Sequence, residues 1–153
     1  MKRQKDLRRE GGESEAAQIG VVVVAHGGLA ASLLAACEHV VGPQEGVRAI
    51  AIQPHDDLRA KQREVDEAVA AVDTGAGVVL VTDMFGGSPS NIAMGAVSSS
   101  EVEVIYGANL PLLVKLAKLR ARPLSEAVEG ALASGRKYID SAGQVLAKRA
   151  RRA

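Results

Sequence analysis

Short apolar runs alternate with longer stretches of helical period along the middle of the chain. Four of the runs are strand-length and rich in β-branched residues: Ile19–Ala25, Val47–Ile52, Val78–Thr82 and Val102–Tyr106. This alternation builds βαβ units and a mostly parallel sheet. The first and third runs are apolar almost throughout, as strands covered on both faces must be, so they are expected at the centre. The pattern predicts an α/β protein with a doubly wound central sheet flanked by helices.

The intervening segments carry helix signals. Leu29, Leu33, Leu34, Cys37, Val40 and Val41 share a stripe, and Gly42-Pro43 ends it. A second helix is capped by Asp56 or Asp57, with Leu58, Val65, Val69 and Val72 facing inward and Arg59, Lys61, Arg63, Glu64 and Glu67 facing water. Ser88 reads as the cap of a third, with Pro89 at its first position. Asn109 reads as the cap of a fourth, Leu110 to about Leu119, and Ser125 as the cap of a fifth running past Tyr138. Beyond the fifth helix the pattern assigns no element.

Composition narrows the class. The 153 residues suit one domain, and with 47% hydrophobic but only 2% aromatic residues its core must be aliphatic. Residues 1–18 are charged and aperiodic and read as a mobile tail; 19–146 read as the single domain, and 147–153, AKRARRA, as a basic tail. A net charge of +1 offers no broad footprint for nucleic acid or a membrane surface. One cysteine, Cys37, allows no internal disulfide and reads as a core thiol. With neither a signal peptide nor a spanning apolar run, a cytoplasmic protein is expected.

The chemistry gathers at strand ends. The first strand runs into His26-Gly27-Gly28, the third into Asp83-Met84-Phe85-Gly86-Gly87-Ser88 and the fourth into Gly107-Ala108-Asn109. In open α/β sheets ligands bind beyond the carboxyl ends of the strands, so these turns are expected to share one edge and one site. Imidazole is a nucleophile, and a carboxylate on one ring nitrogen fixes the tautomer and leaves the other lone pair free; Asp83 is the candidate orienter of His26. Gly86, Gly87 and Ser88 open a helix whose amides and dipole can cradle an anion, and Gly27 and Gly28 are expected to add amides beside the ring. Together they suggest transient phosphorylation of His26. No Walker A lysine and no acidic cluster of metal-binding spacing is evident, so no cofactor and no metal are expected, and the phosphoryl group would come from another phosphoprotein.

The segments VVVVAHGGLAASLL, VLVTDMFGGSPSNIA and VIYGANLPLLVKL resemble the three signature regions of the mannose-type enzyme IIA family of the bacterial phosphoenolpyruvate-dependent sugar phosphotransferase system. The resemblance covers roughly residues 18–140, and DMFGGSPSN is its most specific piece. It implies a phosphotransferase component in which His26 Nε2 takes a phosphoryl group from the phosphocarrier HPr and passes it to an enzyme IIB histidine for sugar uptake, with Asp83 holding Nδ1–H and Ser88 near the phosphate. It also implies a homodimer, in some members completed by an exchanged edge strand, and peripheral association with a membrane IIC/IID complex through IIB. Asn91 belongs to the same motif without a derivable role. Two features depart from the family: the motif commonly reads GGSPFN where this chain has Ser90, and the charged N-terminal extension is additional. The sequence carries neither a IIB domain nor membrane segments, so a sugar carrier would be separate.

Other readings stand beside this one. The same site suits a regulatory switch, in which a charge change of about two units on His26 alters binding to a target protein. A receiver-like or flavodoxin-like module fits less well, because the first strand ends without acidic metal ligands and stacking aromatics are scarce. His39 and His55 read as structural or solvated, and Asp83 and Gly86-Gly87 alone would read as turn formers.

Overall fold

Every residue of the first strand, β1 (Gly20–His26), is buried through Ala25. The computed structural model describes residues 16–99 and 101–153; the segment 1–15, most of the charged tail read from the sequence, lies outside the described residues. A strand without a solvent face needs cover on both sides and a neighbour at each edge. The sheet order β2-β1-β3-β4 supplies the neighbours, with β2 at Val47–Ile52, β3 at Val78–Thr82 and β4 at Val102–Ile105, all parallel. The two unbroken apolar runs are thus the inner strands, as expected. Edge strand β2 alternates, burying Ile50 and Ile52 while Arg48 faces solvent.

The helices are α1 (Leu29–Val41), α2 (Leu58–Val72), α3 (Ser88–Gly95), α4 (Leu110–Lys118), α5 (Leu124–Lys137) and α6 (Ala142–Arg152). Alternate strand residues serve opposite cores. Val21, Val23, Val79 and Val81 pack with α1, α4 and α5 through Cys37, Leu112, Leu116 and Ala127. Val22, Val24, Val78 and Leu80 pack with α2 and α3 through Val65, Val69, Ile92 and Ala93. The chain therefore leaves β1 over one face to reach β2 and returns over the other to reach β3. The strand order reverses between β1 and β3, which puts the crevice of a doubly wound sheet beyond their carboxyl ends.

Several local expectations need correction. The first strand starts at Gly20, because the Ile19 amide donates to the Arg120 carbonyl at 2.8 Å, and it extends to His26, which pairs with Ile52. Tyr106 falls outside β4, next to the turn at Gly107, whose φ is 78°. On α1 the inward stripe centres on Ala30 and Cys37, leaving Leu29 and Val40 exposed; Leu58 on α2 is exposed as well. Asp57 caps α2 through the amides of Arg59 and Ala60, while Asp56 accepts from the Gln53 amide. The cap of α3 is Gly87, not Ser88: Gly87 is extended and its carbonyl accepts from the Asn91 amide at 3.1 Å, so Ser88 is already helical. Pro123, held extended, caps α5 two residues ahead of the expected Ser125 cap. Asn109 caps α4 as read, through the Leu112 amide at 3.0 Å.

Beyond α5 the chain forms α6, capped by Ser141 on the Gln144 amide at 3.2 Å, with none of its residues buried. The basic segment from residue 147 lies in this helix. At the amino edge of the sheet, Arg120 is only 4% exposed. Its Nε donates to the Ile19 carbonyl at 2.7 Å, Nη1 to Gln44 Oε1 at 3.2 Å and Nη2 to the Gly46 carbonyl at 3.4 Å. That fan of bonds ties the end of α4 to the starts of β1 and β2. Burial disfavours the charged guanidinium and pulls its pKa down, which three well-placed acceptors offset.

Candidate functional site

His26 and Asp83 sit at the ends of the two inner strands, on either side of the point where the strand order reverses. Register brings them together: Val24 pairs with Thr82, so the residues after each strand continue side by side. Asp83 Oδ2 accepts from the His26 backbone amide at 3.0 Å and lies 2.7 Å from His26 Nδ1, while Oδ1 accepts from the Met84 amide at 3.0 Å. Burial alone would raise the Asp83 pKa, but the His26 amide, the His26 ring and the Met84 amide together hold the carboxyl below its usual value. An ionised carboxylate has no proton to give, so in the neutral ring Nδ1 carries the hydrogen and Nε2 keeps its lone pair.

That open nitrogen faces the start of α3. A Cβ added to Gly87 would lie 3.0 Å from His26 Cε1 and 3.2 Å from Nε2, so only glycine allows the ring to approach this turn without displacement. Ser88 and Ser90, in the first turn of α3, have amides that an α-helix leaves without an intrahelical acceptor, and the helix dipole adds positive character there. A nucleophilic nitrogen beside such donors is equipped to receive and hold an anionic group.

The residues read from the sequence are not equal contributors. The Gly27 amide donates to the Ile52 carbonyl at 3.0 Å, so it is engaged in the sheet rather than offered beside the ring. The Gly86 amide donates to Ser90 Oγ at 2.9 Å and is likewise occupied. Gly87 and Ser88 remain; Ser88 also lines a groove between α2 and α3 with Leu58, Arg59, Gln62 and Asn91. The third turn reaches the same edge through the Ala108 amide, which donates to the Thr82 carbonyl at 2.9 Å. Asn109 there is consumed by structure: Oδ1 caps α4 and Nδ2 donates to the Gly135 carbonyl at 3.0 Å. His39 and His55 are exposed and take no part in the His26–Asp83 pairing. Cys37 is buried, and burial, seconded by Glu38, pushes its thiol pKa up, as for an inert core thiol.

Two features have roles that the sequence reading did not assign. One is Ser90, 2% exposed, whose hydroxyl bonds to both glycines of the turn. The other is an apolar rim at the carboxyl edge. Phe85 is 73% exposed yet meets Tyr106 edge-on at 5.0 Å between ring centroids, and Met84, Leu29 and Leu58 are exposed near the same strand ends. These large apolar side chains are left exposed at the same edge as the His26–Asp83 pair. The signal for the rim was present as apolar residues directly after strand ends, where a core has no use for them.

Comparisons with known proteins agree with this architecture. Residues 20–132 match the model of the EIIA-man family, described as the PTS system fructose IIA component. The PTS system mannose-specific EIIAB component of Escherichia coli is 37% identical over 98 residues, covering 63% of this chain and 30% of that protein. The chain thus spans less than a third of the length of that curated relative. Among solved structures, the PTS IIA protein associated with the fucose utilization operon of Streptococcus pneumoniae superposes with a TM-score of 0.73 at 28% identity, covering 86% of this chain and 98% of that one. Phosphotransferase system component EIIA from Streptococcus agalactiae gives a TM-score of 0.74 at 22% identity, covering 82% and 98%, a likeness of fold. With the family match running from the first strand into the fifth helix around the His26–Asp83 pair, the chain belongs to the mannose-type EIIA family of the sugar phosphotransferase system.

Proposed function

We propose that this protein is a phosphocarrier that accepts a phosphoryl group from phosphorylated HPr on His26 Nε2 and delivers it to a histidine of an enzyme IIB, for sugar uptake. The observation that carries the reading is the 2.7 Å contact between His26 Nδ1 and Asp83 Oδ2, which makes Nε2 the free nitrogen of the neutral ring, against the α3 start. The lone pair on Nε2 attacks the donor's phosphorus; an N–P bond forms on His26 as the donor's N–P bond breaks, and that electron pair returns to the donor imidazole. The proton on Nδ1 stays in place, and Asp83 offsets the positive charge that the substituted ring acquires. Gly87 and Ser88 donors meet the phosphoryl oxygens. Delivery to IIB is the same exchange with His26 as leaving group.

The exposed rim of Leu29, Leu58, Met84 and Phe85 supports a reaction between two proteins rather than with a small metabolite. The reading places the protein in the cytoplasm; among the described residues no helix is long and apolar enough to cross a membrane. It includes a homodimer, and contact with the membrane carrier through IIB.

Incubation of the purified protein with phosphoenolpyruvate, enzyme I and HPr, followed by intact mass and mapping of acid-labile phosphate, tests it. One phosphate on His26 is the expected result. An unchanged mass with active donors and folded protein would sink the reading.

A further inference from the structure

Ser90, in the stretch DMFGGSPSN, lies in the first turn of α3. Its side chain is buried, and its hydroxyl is used in both senses: Oγ accepts from the Gly86 amide at 2.9 Å and donates to the Gly87 carbonyl at 2.9 Å. These two glycines are the turn leading from Asp83 into α3. Gly86 sits at φ 89°, and a glycine pair has the widest conformational freedom of any dipeptide, so an unpinned turn would sample many arrangements. The site needs one of them, in which Gly87 lies against the His26 ring.

We propose that Ser90 is a positioning residue: its hydroxyl clamps the Gly86-Gly87 turn so that the Gly87 and Ser88 donors stand ready beside His26 Nε2. This rests on the reading of His26 as the phosphoryl acceptor. The clamp has a second effect, because it takes the Gly86 amide out of anion binding and leaves the cradle to the amides of Gly87 and the first turn of α3. An apolar side chain at this position makes neither bond and would have to hold the turn by packing alone.

The test compares wild type, Ser90→Ala, Ser90→Thr and Ser90→Val as phosphoryl acceptors from phosphorylated HPr. Ser90→Ala is expected to lower kcat about tenfold, the scale of one or two lost hydrogen bonds, with KM for the donor unchanged. The Gly86 amide should exchange hydrogen faster, and the amide shifts of Gly87 and Ser88 on phosphorylation should shrink. Thr and Val have the same shape, so they share any crowding in this buried space; Thr should retain most of the rate and Val should lose it. Equal kcat for Thr and Val, or a wild-type rate for Ser90→Ala, overturns the clamp while leaving His26 as acceptor. A change confined to KM does the same. Wild-type protein that takes no phosphate defeats the functional reading itself, and the clamp with it.

Discussion

At the amino end of β1 the Arg120 guanidinium is 4% exposed and spends its nitrogens on the Ile19 and Gly46 carbonyls and on Gln44 Oε1. At the carboxyl end the His26 side chain is 49% exposed, bonds Asp83 through one nitrogen and leaves the other open. Both are ionisable groups held at the two ends of the same strand. The difference lies in what remains unspent. A charge whose donors are committed to fixed acceptors can only hold structure, whereas a ring with one nitrogen locked and one bare can react. Orientation is common to both; reactivity needs the additional vacancy.

Removing each group should separate the roles. His26→Ala is expected to abolish phosphoryl acceptance, because the nitrogen that Asp83 orients toward α3 is gone, while thermal unfolding shifts little for so exposed a ring. An alanine variant that still takes phosphate at the wild-type rate would break the comparison at its reactive end. Arg120→Met is expected to do the reverse. It removes the donors to the buried Ile19 carbonyl and to the part-buried Gln44 and Gly46 oxygens, costing about 2–4 kcal/mol of stability, yet the folded fraction should accept phosphate normally. Denaturant unfolding and a phosphorylation rate normalised to folded protein check both halves. Loss of rate without loss of stability would show that the two ends are not separable.

Legibility in the sequence divides along the same line. The inner strands could be read because total burial demands unbroken Val, Ile, Leu and Ala, and His26 and Asp83 stood out because each interrupts such a run at its end. Side-chain chemistry is written in residue type. Backbone chemistry is not: the Gly27 amide is engaged because register sets it opposite the Ile52 carbonyl, and no residue type announces that. Ser90 was legible only as the absence of an apolar residue, since its two bonds depend on the turn it helps to form. The α1 stripe gave the right period but too wide a face, since Leu29 and Val40 are exposed. Capping at Gly87 rather than Ser88 is a one-residue slip of the kind that two candidate caps in succession invite.

Asp83→Asn sharpens the reactive end. The amide has nearly the shape of the carboxylate but carries no charge, and it presents either an oxygen or an NH2 group to His26 Nδ1. The ring loses its fixed tautomer and the phosphorylated ring loses its counter-charge. Transfer should slow at least about tenfold to a hundredfold, the scale for carboxylates that orient metal-bound histidines. The loss should appear in kcat, since Asp83 bonds the ring nitrogen and is not on the rim. An unchanged rate would mean that the strand alone aims the imidazole.

The smallest effect is a pH dependence that tells the two ends apart by sign and origin. Hydrogen bonds from His26 and Met84 lower the Asp83 pKa in the folded protein below its unfolded value of about 4. The unfolded chain therefore binds the proton first as pH falls, and the stability that Asp83 contributes is complete above about pH 4 and lost as pH drops through the lower folded value. Urea unfolding of wild type and Asp83→Asn at steps from about pH 5 downward should show the wild type losing more stability than the variant in that window. Exposed Asp140, lowered by Lys148, titrates in the same direction in both proteins and cancels in the difference. Arg120→Met should leave the acid slope unchanged, because a guanidinium does not titrate there. Parallel slopes for wild type and Asp83→Asn would mean that the bonds of Asp83 to His26 and Met84 hold no net energy in the folded state, and the carboxyl end of β1 would then be oriented by the ladder alone.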